Sequence, residues 1–252
     1  MRKLLLALLT LAATPAVAED NFKLISTDIN VRTGLTFKVA DTAVQKMLPA
    51  GWELNSPTAG PAKGFNLGIT LIDYVLVQDP DGKPLPARNI VVLNIPAKKA
   101  GTSEAVTMVF AGFIAQDGVP GAYGVYGPAN ITVDRRSHAR PDGKSMINET
   151  WQARADDGSL VDLQIEFERG VPTRSKVEAK VHSAAKPAFY RIYRFEQAAD
   201  VARSTAANID RVSKFSFKAS GPKLGAIFDG TEQLVSITSI PSYSRSIYLP
   251  AM

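Results

Sequence analysis

Two histidines and no cysteine set narrow limits on the chemistry this chain can do. His138 and His182 fall in separate segments with no carboxylate at ligand spacing, so no metal site is expected; a site normally needs three or four converging N, S or O donors. His182 closes a polar strand face and is expected to be exposed. His138, inside Arg135-Arg136-Ser137-His138, is expected to be solvated. Thiolate and disulfide chemistry are excluded outright. No Gly-x-Ser-x-Gly elbow occurs, which removes the commonest serine hydrolase layout. Gly143-Lys144-Ser145 imitates the end of a phosphate loop, but His138 stands where the first glycine is needed. No Gly-x-Gly-x-x-Gly follows a strand, so no dinucleotide cofactor is expected.

What survives is a glycine and tyrosine cluster, Gly121-Ala122-Tyr123-Gly124-Val125-Tyr126-Gly127-Pro128-Ala129-Asn130. Glycines at that density let backbone approach a neighbour closely, and tyrosines present apolar rings with a polar tip suited to a pocket wall. The plainer alternative is a tight irregular turn whose tyrosines pack on a sheet.

The elements that must position these residues are strands. From Leu160 to Glu168, Val161, Leu163, Ile165 and Phe167 alternate with polar residues, the period of a half-buried strand. Asp156-Asp157-Gly158 marks a turn before it, and Met146 to Arg154 supplies the partner of a hairpin. A second hairpin is expected from Leu67–Gln78 and Asn89–Ile95, joined by the loop Asp79 to Pro84 and placed near the sheet centre. Further strands are expected at Leu35–Val39, Val106–Ile114, Asn130–Asp134, Val177–His182, Phe189–Phe195, Phe215–Ala219 and Leu234–Ile240, separated by turn residues. Two short helices are expected, one capped by Asp41 and running past Val44 to Pro49, the other over alanine-rich Glu196–Ala207. The predicted class is mainly β, an antiparallel assembly with a few short helices.

Arg2 and Lys3, the apolar run Leu4–Leu11 and Ala16-Val17-Ala18 form the three-part layout of a secretion signal. That run is too short to span a bilayer, which needs about 20 residues. Residues 1–18 therefore read as a cleaved signal, and residues 19–252 as one domain of a soluble protein in the bacterial periplasm or outside the cell. With Arg2 and Lys3 removed, the formal charge of +5 falls to +3, too small and dispersed for nucleic acid. The basic pairs Lys98-Lys99 and Arg135-Arg136 read as solvated strand ends.

In order, these features resemble the acetoacetate decarboxylase-like superfamily. The resemblance rests on Phe37 to Leu54, with its Asp41-x-x-Val44 helix and Leu48-Pro49 exit, on Val91-Val92-Leu93-Asn94-Ile95-Pro96, on the hairpin Met146–Phe167, and on Leu234–Leu249. It implies a curved antiparallel sheet closed into a cone-like barrel around a pocket. It also implies decarboxylation through a lysine imine, the lysine activated by a second lysine beside it. Pro128 stands in register with the proline of the family signature, and the two lysine positions carry Ala129 and Asn130. The signature arginine and glutamate correspond to Ala122 and Tyr123, the pocket glutamate falls near Arg88 or Asn89, and a family arginine on the N-terminal strand corresponds to Arg32.

Without the lysine pair, the expected function is binding of a small, partly apolar molecule, with a carboxylate as one option and no catalytic residue, metal or cofactor. Arg32 and Arg88 are the expected anion contacts, with Asn89, Tyr123, Tyr126, Ala129 and Asn130 lining the wall. A lyase or hydrolase using Lys144 or Lys63, with Glu149 or Glu104 as base, is the alternative. A third option is an envelope interaction protein whose barrel is filled by its own side chains. A homo-oligomer is left open.

Overall fold

The computed structural model describes residues 22–222 and 224–250. The signal-like segment lies outside them. The strands are β1 (Phe22–Lys38), β2 (Trp52–Leu54), β3 (Leu67–Gln78), β4 (Pro84–Leu85), β5 (Ile90–Lys99), β6 (Ala105–Ile114), β7 (Tyr126–Pro128) and β8 (Asn130–Ala139). They continue with β9 (Ser145–Arg154), β10 (Leu160–Glu168), β11 (Thr173–Ser183), β12 (Tyr190–Ser204), β13 (Ile209–Asp210), β14 (Val212–Ser220) and β15 (Gln233–Pro250). One short helix, α1 (Asp41–Gln45), and a single 3-10 turn at Gln116–Gly118 complete the elements.

The larger sheet closes on itself. Its ladder runs β5-β3-β1-β15-β12-β11-β6 and returns through β6 to β5, a ring of seven strands. All its contacts are antiparallel except β11 with β6 and β6 with β7, which makes the sheet mixed rather than purely antiparallel. The smaller sheet, β14-β10-β9-β8, contains the expected hairpin, with Leu163 opposite Trp151.

This second sheet packs on the outside of the ring. Val161, Leu163, Ile165 and Phe167 are each at most 1% exposed and meet Leu35, Leu67, Ile69 and Leu93 from the ring. Because successive side chains point to opposite faces, the alternate residues of the same ring strands point into the ring. Leu67, Ile69 and Leu71 face the second sheet, while Thr70, Ile72 and Tyr74 face the interior. Strands buried on both faces read as near-continuous apolar runs, which is why Leu67–Gln78 and Ile90–Lys99 carry so little alternation. β6 changes face at a bulge opposite Leu93 and Asn94. Before it Val109 points inward; after it Ala111 and Phe113 join the core against the second sheet.

Several expectations are corrected. Glu196–Ala207 is not a helix: β12 runs through to Ser204, paired with β15 on one edge and β11 on the other. Asp200, Ala202 and Ser204 are buried at a spacing of two, so pairing on both edges overrides the weak helical preference of alanine. Asp41 begins α1 without capping it; its carboxylate accepts from Lys38 Nζ at 2.6 Å and Asn66 Nδ2 at 2.7 Å instead. His182 is buried, its ring between Trp52 and Tyr190 at centroid distances of 4.8 and 5.1 Å, and its Nδ1 donates to the Pro187 carbonyl. Arg135 is no solvated strand end, since it bridges Asp73 at 3.0 Å and buried Glu149 at 2.9 Å.

Candidate functional site

Inside the ring lie two chambers of about 280 Å³ and 180 Å³. Tyr74, Ile90, Tyr123, Tyr126, Tyr193 and Arg245 line both, so these residues form the wall between them. The ring is therefore not filled by its own side chains.

The wall is organised around Arg245 on β15. Its Nε and Nη2 donate to Asp28 Oδ2 at 2.9 and 2.7 Å, and Nη2 also donates to the Tyr74 hydroxyl at 2.8 Å. Its guanidinium lies 4.2 Å from the centroid of Tyr193, whose hydroxyl is hydrogen-bonded to that of Tyr123. Burial opposes the charge on Arg245, but Tyr74, Tyr193 and Asp28 together outweigh it and hold the group firmly protonated.

Arg32 on β1 sits just below this wall and is treated differently. Its Nε donates to Asn30 Oδ1 at 2.6 Å, and Asn30 in turn donates to Asp28 Oδ1 at 2.6 Å. Its guanidinium carbon lies 3.4 Å from the centroid of Tyr243. Its Nη2 is buried with no hydrogen-bond partner among the described residues. Burial, and then repulsion from Arg245, lower its pKa, so the site disfavours this cation as it stands. Asp28 is shared between two guanidiniums and touches Arg32 only through Asn30. Arg32 lines the larger chamber, and a buried cation there that lacks its own counter-charge is an arrangement that an anion completes.

The tyrosines supply neutral donors. Burial pushes the Tyr123 and Tyr126 hydroxyls well up, and raises Tyr243 to about 12 against the pull of Arg32 and Arg245. Tyr126 is held by two glycines. A Cβ at Gly112 would come within 2.6 Å of its ring, and one at Gly121, where φ is +68°, would overlap it.

Of the residues expected from the sequence, Arg32, Tyr123 and Tyr126 meet at the larger chamber. Arg88 lines the smaller one, paired with Asp117 through Nη2 at 2.7 Å and Nε at 3.0 Å. Asn89 is half-buried and lines neither chamber; Ala129 packs against the outer core, and Asn130 is exposed at the start of β8. Lys144 and Lys63 are exposed, so neither reaches the interior. Glu104 is exposed and paired with Lys180, while Glu149 is buried between the sheets with Thr33, Trp151 and Arg135 as partners. Among the described residues, no lysine lines either chamber.

Asp28, Tyr74, Tyr193, Tyr243 and Arg245 were not anticipated from the sequence. One signal for the last two is the run Ser242-Tyr243-Ser244-Arg245-Ser246-Ile247, in which serines alternate with large residues. Its period of two places every large side chain, arginine included, on one face.

No family model matches the sequence, and no curated protein matches it. Solved structures do match. The chain is similar to the enduracididine biosynthesis enzyme MppR, solved with HEPES buffer, at 12% identity and a TM-score of 0.56 over 95% of this chain and 91% of that one. It is similar to an acetoacetate decarboxylase-like enzyme from Sphingomonas wittichii RW1, at 11% identity and 0.53 over 96% and 97%. It is also similar to acetoacetate decarboxylase itself, at 8% and 0.50 over 96% and 93%. The chain has the acetoacetate decarboxylase-like fold. MppR has also been solved in complex with pyruvate, a small keto acid, at 12% identity and a TM-score of 0.56 over 94% of each chain. In the acetoacetate decarboxylase-like fold of this chain, the interior presents guanidiniums and tyrosine hydroxyls.

Proposed function

We propose that this chain is an exported protein that binds a small carboxylate-bearing molecule in the larger chamber, without forming a covalent imine to it. The observation that carries the reading is Arg32, a buried guanidinium whose Nη2 has no partner and whose nearest carboxylate is already engaged by Arg245. A carboxylate entering the chamber that Arg32 lines balances its charge, the pairing for which guanidinium is best suited. Tyrosine hydroxyls held protonated by burial add neutral donors to the same anion. The complex of MppR with pyruvate supports a ligand of this class by analogy of fold. Export rests on the signal-like residues 2–18.

The reading is tested by incubating the protein with pyruvate and sodium borohydride, with calorimetric titration of pyruvate alongside. The expected result is saturable binding with an unchanged protein mass. A mass increase corresponding to a reduced imine on a lysine overturns it.

A second reading, a lyase that uses no imine, is favoured by one observation: the hydroxyls of Tyr123 and Tyr193 are hydrogen-bonded to each other beside Arg245. That pair is placed to pass a proton to a carboxylate-bearing substrate. Turnover of pyruvate or a related keto acid, lost in Tyr193→Phe, separates this reading from binding alone.

A further inference from the structure

The larger chamber is graded along its length. Counting away from the wall on each strand, β12 presents Tyr193, Phe195 and then Gln197; β3 presents Tyr74, Ile72 and Thr70; β5 presents Ile90, Val92 and Asn94. β6 adds Val109 and, farther on, Thr107. The first step from the wall is thus apolar. The second is polar and uncharged on these four strands, the ladder register setting Thr70 beside Val92 and Asn94 beside Val109, and Gly34, Ala179, Val181 and Ile240 fill the remaining positions. Neither Thr70, Asn94 nor Thr107 has its side chain tied up in the hydrogen bonding that orders the wall. Asn94 is folded toward the interior over Gly68, where a Cβ would come within 2.6 Å of its Oδ1.

The cation belongs to the wall end. Although Arg32 lies on β1 beside the apolar belt, its guanidinium turns back to Asn30 and Tyr243 and feels Arg245 and Asp28. Among the described residues, no charged residue lines the far end. Two residues of strand separate the apolar belt from the polar one, roughly 7 Å, the reach of a short alkyl chain.

Building on the carboxylate site proposed above, we propose that the preferred ligand is a linear monocarboxylic acid with a short apolar chain and a neutral hydrogen-bonding group, such as a hydroxyl, at its far end. The carboxylate sits at Arg32 under the tyrosine wall. The alkyl segment lies against Ile72, Val92, Val109 and Phe195. The terminal group meets Asn94 and Thr107. A diacid is disfavoured, because its second carboxylate finds amide and hydroxyl partners but no cation, and loses hydration on entry.

The test is calorimetric titration of the full chain with three probes: valerate, δ-hydroxyvalerate and glutarate. δ-Hydroxyvalerate is expected to bind about three- to tenfold tighter than valerate, the range of one or two net hydrogen bonds, and glutarate more weakly than either. The advantage over valerate is expected to shrink in Thr107→Val and in Asn94→Leu, two nearly isosteric changes, and to vanish when the two are combined. Equal binding of valerate and δ-hydroxyvalerate, or an advantage that survives the combined substitutions, overturns the proposal and leaves the carboxylate site standing. Failure of all three probes to bind overturns the carboxylate site itself.

Discussion

Arg245 and Asp28 form an ion pair across 217 residues of sequence, joining the last strand of the ring to the first with both side chains at most 4% exposed. The same carboxylate reaches Arg32 only through Asn30, so one acid serves two buried guanidiniums. The ring is closed by a satisfied pair and is left with an unsatisfied cation beside it. Stability and the proposed ligand binding therefore depend on different arginines.

Removing the acid exposes that asymmetry. Asp28→Asn leaves Arg245 and Arg32 facing each other with no counter-charge, and is expected to cost about 3–5 kcal/mol of unfolding free energy. Urea denaturation followed by tryptophan fluorescence measures it. A loss below about 1 kcal/mol contradicts the role given to Asp28.

Arg32 behaves in the opposite sense. Arg32→Met keeps the apolar stem and deletes a buried charge lacking its own acid; because Asn30 Oδ1 loses its donor, the net gain expected for the ligand-free protein is on the order of 1 kcal/mol. The same denaturation experiment reads it. A variant less stable than the native chain contradicts the view that this cation is held at a cost for the sake of a ligand.

Buried His182 gives the fold a dependence on pH. Burial lowers its pKa, aided by the Lys180 ammonium and opposed by the hydrogen bond to the Pro187 carbonyl and by Glu104. The unfolded state thus takes up a proton before the folded one does, so this residue begins to reduce stability as pH falls through about 6.5, the ordinary histidine value. The penalty grows until pH reaches the lowered folded value. Between pH 8 and pH 5 the native chain is expected to lose more stability than His182→Phe, which keeps the stack with Trp52 and Tyr190. Parallel pH profiles contradict the assignment.

Gly121 sets the position of Tyr126. Gly121→Ala meets both a positive φ and the Tyr126 ring, and is expected to cost about 1–3 kcal/mol. It also moves the wall between the chambers, so near-ultraviolet dichroism of the tyrosines is expected to change. Unchanged stability and spectrum contradict the boxed geometry.

Much of the ring was legible in sequence because its strands are long, apolar and bounded by turn residues. The hairpin Met146–Phe167 was read correctly from its period of two. Glu196–Ala207 was misread because alanines favour a helix locally, whereas β12 is fixed by partners far away in sequence, β15 and β11. Arg32 and the tyrosines of the glycine cluster could be singled out in advance. Asp28 and Arg245 could not, since a charged residue in a strand reads as solvent-facing until ring closure turns that face inward. Ala129 and Asn130 marked a position in the resemblance, but in this chain they lie outside the interior, against the second sheet and in solvent.

The proposed site requires Arg32 to hold a carboxylate non-covalently inside the ring. Parallel calorimetric titrations of valerate into the native chain and into folded Arg32→Met test it most directly. The native chain is expected to bind saturably with one site per chain, and Arg32→Met at least about tenfold more weakly, the loss of a charge-assisted contact. Equal affinity of the two proteins contradicts the claim.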